Sequence, residues 1–359
     1  MAIRIKGIFR NLIKKIWISF SENRQAKMIS FIENSKWIYK REAIVRSLKE
    51  RMGYKDLRQY AYYLNDNFET EVKKIKKKPT FIKVDMDFHV GFFHAGIIIF
   101  VIEYTVIAMK KGAIPIFYIN NRIATKDNLS LEWFFEQPYT YVFNMKDLDI
   151  DTINYSDMSI ENVPYRIENS LLWDIENTDW KVWKNLSKKI IGKNEFFRNY
   201  IEDDKNKNGI KSEELLGVIV RGTDYIKLKP KNHPVQPDVE EIISKVQSLL
   251  ETNKYSGIYI ATDEERIYKQ FVDIFGNNRV FHNSREYYDE IYRKDNLYQI
   301  CDARKNRKND QYFNSLEYIS SMFILSECKG IMGGNCSGGL MAALFSEGEY
   351  VYFFNKGYY

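Results

Sequence analysis

Three stretches of this sequence end an apolar run in groups able to hold a phosphate. The first is Leu216-Gly217-Val218-Ile219-Val220-Arg221-Gly222-Thr223-Asp224-Tyr225. An arginine directly after an apolar strand can meet a diphosphate with paired donors, although the same spacing offers Arg221 a structural ion pair with Asp224. The second is Ile258-Tyr259-Ile260-Ala261-Thr262-Asp263-Glu264, a strand ending in acids. A carboxylate at Asp263 can accept hydrogen bonds from a base or ribose, or cap a helix. The third is Gly333-Gly334-Asn335-Cys336-Ser337-Gly338-Gly339, a glycine-rich turn opening a helix. Its backbone N–H groups and the helix dipole favour an anion, and a tight turn is the plainer use of the same glycines. Each stretch is weak alone. In this order, at successive strand ends, they point to one site, because open α/β sheets bind ligands beyond the carboxyl ends of their strands.

Proton chemistry has fewer candidates. The chain has four histidines. Two of them, His89 and His94, follow Asp87 in a segment expected to be the loop after a strand at 80–84. A histidine titrates near neutrality and can take a proton from a hydroxyl, so Asp87, His89 and His94 are the candidate bases. Packing is the alternative role for both histidines. Asp85-Met86-Asp87 is also an Asp-x-Asp, a pattern that can hold Mg²⁺ or Mn²⁺ against a nucleotide diphosphate. That reading leaves the three later stretches without a role, so no metal is expected. No G-x-x-x-x-G-K-[ST] occurs, which argues against a nucleotide hydrolase or kinase. His233-Pro234 reads as a turn before a helix.

The elements that must position these residues are legible as periodicity. Residues 21–78 read as helical and polar. A strand at 80–84, an apolar helix at 96–111 and a strand at 113–119 have the order of a right-handed parallel crossover. Residues 125–195 carry no clear pattern, with a short strand candidate at 140–144. Residues 202–214 are polar and read as an interdomain linker. Beyond them, strands at 215–220, 257–261, 279–281, 330–332 and 350–354 alternate with helices, the pattern of a doubly wound parallel sheet. The expected division is a basic amphipathic segment over 1–50, an N-terminal Rossmann-like acceptor domain over 51–200, a linker over 201–214 and a C-terminal Rossmann-like donor domain over 215–359.

Over residues 215–346 the sequence resembles the fucosyltransferase superfamily of α-1,6-, α-1,2- and protein O-fucosyltransferases, most of all the α-1,6 branch. That branch has a strand ending in Val-His-Val-Arg-Arg-Thr-Asp, a His-Pro pair, Tyr-Leu-Ala-Thr-Asp-Asp and a serine-rich turn opening a helix. The matching residues are 218–224, His233-Pro234, 259–264, and Asn335-Cys336-Ser337 with parts of the helix before it. A weaker match covers 91–117. The resemblance implies an α/β fold of the GT-B-like kind, two Rossmann-like domains with a cleft between them. It implies an inverting, metal-independent transfer from a GDP-sugar, GDP-fucose first, with no cofactor beyond that donor. It places Arg221 on the donor diphosphate with Asp224 beside it, Asp263 near the nucleotide, and Asn335, Cys336, Ser337 and Gly338 at the phosphate-facing helix end. The sequence also departs from the pattern. The motif histidine is Ile219, the second arginine is Gly222, the following carboxylate falls on Lys229, and the acid that recognises guanine falls near Ser321. Lys227, Lys229 and Lys231 could restore positive charge or form a solvated run. A donor with another nucleotide, such as a UDP-sugar, and a non-catalytic sugar-nucleotide or glycan-binding module are the alternatives.

Bulk properties agree with an enzyme of this size. The chain has 359 residues, 45% hydrophobic and 28% charged, which suits one large or two ordinary α/β domains. Aromatic residues reach 15%, an excess that serves either a sugar site or the core. Three cysteines without C-x-x-C spacing argue against a disulfide framework or a zinc site and suggest a reducing cytosol. No apolar run reaches the roughly 18 residues of a membrane span, and no signal peptide is evident. The net charge of +6 is concentrated in residues 1–50, with twelve Lys/Arg against four Glu, so nucleic acid is not an expected partner. Residues 1–20 mix cations with Ile, Leu, Phe and Trp17 and contain no acid, as a helix lying on an anionic membrane surface would. The expected setting is the cytoplasm, peripheral at the inner face of the cell membrane. The expected acceptor is a glycan or lipid-linked glycan in surface polysaccharide synthesis.

Overall fold

A computed structural model describes residues 24, 27, 41–77, 80–88, 93–121, 130–138, 140, 179–230, 233–252 and 254–359. The expected membrane-surface helix at 1–20 and most of the strand candidate at 140–144 lie outside these residues. Met1–Tyr63 and Leu64–Tyr359 are two compact units. Helix α1 (Arg41–Lys77) is kinked at Asn67, and among the described residues the elements that follow it lie in Leu64–Tyr359. Among the described residues no helix is long and apolar enough to cross a membrane.

The first sheet pairs β1 (Phe81–Phe88) with β2 (Ile114–Asn121) in parallel, in register from Phe81 opposite Ile114 to Phe88 opposite Asn121. Between them runs α2 (Ala95–Lys110). The strand β1 is longer than expected: Asp85, Met86 and Asp87 continue it and are not a loop. The alternation of Val84, Asp85, Met86, Asp87 and Phe88 is the two-residue period of a strand, and the acids concealed it. His89 lies outside the described residues. Helix α2 is buried all round, with Ile97, Ile98, Ile99, Val101 and Ile102 fully enclosed. A helix apolar on every side needs cover on every side. Its cover includes β2, helix α3 (Trp180–Ile190) and a helix of the second sheet described below.

Helix α4 (Glu195–Lys207) occupies half of the expected linker, and a 3₁₀ turn at Ser212–Glu214 most of the rest. Asn194 caps α4, accepting from the Phe197 amide at 2.9 Å. Phe197, Ile201 and Asp204 then share one buried stripe. The segment reads as a linker because its buried stripe includes a carboxylate. Asp204 accepts from the Ser284 amide at 3.1 and 3.2 Å and from the Asn208 amide group at 2.9 Å.

The second sheet begins with β3 (Leu215–Val220), continues through the short helix α5 (Thr223–Leu228) and α6 (Val239–Leu250), and returns as β4 (Gly257–Thr262). Helix α7 (Glu265–Phe275), β5 (Val280–Phe281), α8 (Asp289–Lys294), α9 (Asp310–Glu327), β6 (Gly330–Gly334), α10 (Ser337–Phe345) and β7 (Tyr350–Phe354) complete it. All neighbours are parallel, in the order β5-β4-β3-β6-β7. The order reverses at β3, so β3 and its neighbours open a crevice at their carboxyl ends. The mixed α/β fold with parallel sheets is the one expected. Helix α10, apolar and almost wholly buried, packs against α2 and α3 and so joins the two sheets.

One backbone contact sets the β3–β6 spacing beside that crevice. Gly333 has φ of +145°, and a Cβ there would lie 2.0 Å from the Ile219 carbonyl oxygen. Gly333→Ala is therefore expected to destabilise the fold by roughly 2–4 kcal/mol. A urea denaturation midpoint equal to that of the wild type would contradict the close approach.

Candidate functional site

The turn after β3 is built around one carboxylate. Asp263, at the end of β4, accepts from the Gly222 amide at 3.0 Å, the Thr223 hydroxyl at 2.7 Å and Arg221 Nη1 at 2.9 Å. Arg221 Nη2 donates to Asp224 at 3.0 Å, and the guanidinium sits 5.2 Å from the Tyr225 ring centre. The Arg221 side chain keeps 24% of its surface and each aspartate 10%. Burial acts to lower the Arg221 pKa, but Asp224 and Asp263 outweigh it and hold the group firmly protonated. Two of its N–H groups are thus engaged, and its charge is more than offset by its own partners.

Gly222 stands where the resemblance leads one to expect a second arginine. A Cβ on Gly222 would come within 2.2 Å of Glu264 Oε1. The Glu264 carboxylate fills the space beside the turn, and Arg266 and Arg293 pair with it at 3.2 and 3.3 Å. Burial, then the charge of Asp263, raises the Glu264 pKa, opposed by those two arginines.

These strand ends line a cavity of about 300 Å³. Ile219, Val220, Arg221, Asp224 and Tyr225 come from β3 and its turn, Ala261, Thr262 and Asp263 from β4, and Cys336, Ser337 and Gly338 from the start of α10. Helix α9 contributes Asn314, Tyr318 and Met322. Cys336 is the N-cap of α10, and burial raises its thiol pKa, which keeps it protonated at neutral pH. Gly338 allows a close contact: a Cβ there would lie 3.0 Å from the Tyr318 hydroxyl. Burial raises the pKa of that hydroxyl.

His94 lines the same cavity from the other sheet's side. It is the N-cap of α2, and its carbonyl accepts from the Ile97 amide at 2.9 Å. The residue before it is anchored twice. The Phe93 amide donates to Ser315 Oγ on α9 at 2.9 Å, and the Phe93 ring packs edge-on against Phe134 at 5.4 Å. Phe134, Phe135, Phe197 and Phe323 extend this into one aromatic cluster, so much of the aromatic excess serves the core. Burial, with the Arg221 charge second, lowers the His94 pKa from 6.5 to about 4.

No protein-family model and no curated protein sequence matches the chain. In structure it is similar to fucosyltransferases. Fucosyltransferase NodZ from Bradyrhizobium shares 13% identity over 75% of this chain and 94% of that one, with a TM-score of 0.44. A variant of Arabidopsis thaliana FUT1 in complex with GDP shares 9% identity over 86% and 79%, with a TM-score of 0.43. The apo form of POFUT1 shares 11% over 76% and 97%, with a TM-score of 0.41.

Of the residues singled out by sequence, Arg221, Asp224, Asp263, Cys336, Ser337, Gly338 and His94 meet in the cavity. Asn335 does not line it: its carbonyl accepts from Gln236 at 2.8 Å and its side-chain oxygen is buried without a partner. The backbone of Asp87 is in β1. Ser321 is buried against the sheet, 2.9 Å from the Tyr259 hydroxyl. Lys227 donates to Asn296 at 2.7 Å and, like Lys229, is not among the lining residues. Sequence reading missed Arg285, Tyr288, Gln299, Cys301 and Tyr318, which also line the cavity.

Two outcomes follow from these electrostatics. Arg221→Ala leaves Asp224 and Asp263 facing each other without their cation, so the apo protein is expected to lose ~1–3 kcal/mol, measured by chemical denaturation. An unchanged midpoint would show the pairs to be inert. His94 binds a proton in the unfolded chain near pH 6.5 but in the fold only near pH 4. Its share of stability is present above 6.5 and lost as pH falls toward 4, at most roughly 3 kcal/mol. His94→Gln should flatten this part of the pH–stability curve; parallel curves for the two proteins would refute the depressed pKa.

Proposed function

We propose that the cavity binds a nucleotide-diphosphate sugar and that the chain is an inverting, metal-independent glycosyltransferase, with GDP-fucose as the first candidate donor. The observation that carries this reading is convergence. An arginine, two strand-end carboxylates and a helix N-terminus meet at the switch point of a parallel sheet, and a histidine reaches the same space from the other sheet. The motif order 218–224, 259–264 and 335–338 supports a fucosyltransferase-like donor site.

In the proposed reaction His94 accepts the acceptor hydroxyl proton as that oxygen attacks the anomeric carbon. The bond from that carbon to the diphosphate oxygen breaks, and the sugar inverts. The departing diphosphate is stabilised by the remaining Arg221 N–H groups and by the N-terminal end of α10. Tyr318 lines the cavity together with His94 and Ser337. The acceptor is a glycan or lipid-linked glycan of a surface polysaccharide. The basic segment at 1–20 would bring the enzyme to the cytoplasmic membrane face.

One observation favours a second nucleotide. The face of α9 toward the cavity offers Asn314, Tyr318 and Met322 and no carboxylate, so guanine would be read without the usual acid. A UDP-sugar is the alternative donor.

Calorimetric titration of GDP, UDP, CDP, ADP and their common sugars in EDTA tests the reading. One family of nucleotide-sugars should bind, and Arg221→Ala should weaken it. His94→Ala should lower kcat ~10²–10⁴-fold with donor affinity within a few-fold. Binding without turnover in the wild type, across donors and glycan acceptors, would identify a non-catalytic sugar-nucleotide module instead.

A further inference from the structure

Arg221 and Arg285 are the arginines lining the cavity, and they differ in their surroundings. Arg221 is gripped by two aspartates. Among the described residues Arg285 forms no ion pair: its guanidinium lies 5.1 Å from the Tyr287 ring centre, and its Nε is buried without a hydrogen-bond partner. Its charge therefore remains available in the cavity, whereas that of Arg221 is already offset.

The loop that carries Arg285 is fixed on both sides of it. The Asn283 side chain donates to the Glu317 carbonyl at 2.8 Å, and the Ser284 amide to Asp204 at 3.1 and 3.2 Å. The Glu286 amide donates to Glu317 Oε2 at 3.0 Å, and the Tyr288 hydroxyl to Asp310. Arg307 ties Asp310 and Glu317 together. These partners come from α4 and α9, distant in sequence, and none satisfies the guanidinium itself. A buried N–H of a charged group left unpaired within a well-hydrogen-bonded loop is costly unless a ligand completes it.

We propose that Arg285 is the principal diphosphate-binding cation of this site. It takes the place of the second arginine, where Gly222 stands with the Glu264 carboxylate beside it, while Arg221 acts mainly to position the turn. This rests on the nucleotide-sugar reading and assigns the anion-binding charge within it. The guanidinium would donate to two oxygens of the diphosphate, a geometry that its planar fork provides and a lysine does not.

The test is calorimetric binding of inorganic pyrophosphate, nucleoside diphosphates and the matching nucleosides to wild type, Arg285→Gln and Arg285→Lys, with thermal melting of each apo protein. In Arg285→Gln, affinity for pyrophosphate and for the preferred diphosphate is expected to fall ~10–100-fold, with nucleoside affinity unchanged. The apo melting temperature should be no lower than that of the wild type. Arg285→Lys should recover part of the loss. Diphosphate affinity within about three-fold of wild type would overturn the assignment and leave the nucleotide-sugar reading intact. So would a marked drop in apo melting, which would make Arg285 a structural residue. A wild type that binds neither pyrophosphate nor any nucleoside diphosphate would remove both.

Discussion

The carboxylate of Asp263 determines the shape of the switch point. It takes a backbone amide, a hydroxyl and a guanidinium from three consecutive residues, Gly222, Thr223 and Arg221. A turn held by three hydrogen bonds to one rigid strand end has little freedom to rearrange. The direction of Arg221 follows from that, and so does the position of Glu264, the next residue, against Gly222. Where a second arginine is expected, Gly222 lies against the Glu264 carboxylate. A carboxylate fills that space, and Arg266 and Arg293 balance it on the side away from the lining residues. The net effect is that the charge of Arg221 is offset by its own partners, Asp224 and Asp263.

The second constraint is the joint between the sheets. Helices α2 and α10 are apolar on nearly every side, and each supplies cover that the other needs. The N-termini of both helices lie at the cavity, marked by His94 and by Cys336 with Ser337. Burial of the joint therefore fixes the spacing between His94 and the start of α10. The Phe93 amide bond to Ser315 and the Phe93–Phe134 contact prevent the segment before His94 from sliding.

What the sequence disclosed depended on how local the cause was. The strand β3 lies where its apolar run places it, because a buried strand needs only its own residues to announce itself, and β7, a half-exposed edge strand, is announced by its aromatic run. Three phosphate-compatible stretches were legible for the same reason, and the parallel order then brings them together. The linker reading failed where a polar residue is buried, since Asp204 has its partners at Ser284 and Asn208 and only the fold reveals the first. The strand β1 was cut short by acids at alternating positions. Asn335 belonged to the right turn, but its carbonyl is directed to Gln236 by a contact ninety-nine residues away. Arg285 gave no signal at all. It follows a strand of two residues, and its loop is aimed by side chains from α4 and α9.

The low basicity of His94 bears on the order of events. In the empty cavity the imidazole is desolvated and lies in the field of Arg221, so it is neutral at pH 7 but holds an added proton poorly. A base with a conjugate acid near pH 4 takes a proton from a sugar hydroxyl with difficulty. A bound diphosphate reverses one of the two causes, because its negative charge opposes that of the arginine and favours imidazolium. Base strength then rises only when the donor is in place, and it rises further as charge develops on the departing diphosphate. The same coupling disfavours proton removal from water or acceptor before the donor arrives. In the proposed reaction, with His94 as the base, the depressed pKa would tie activation of the acceptor to the presence of the leaving group.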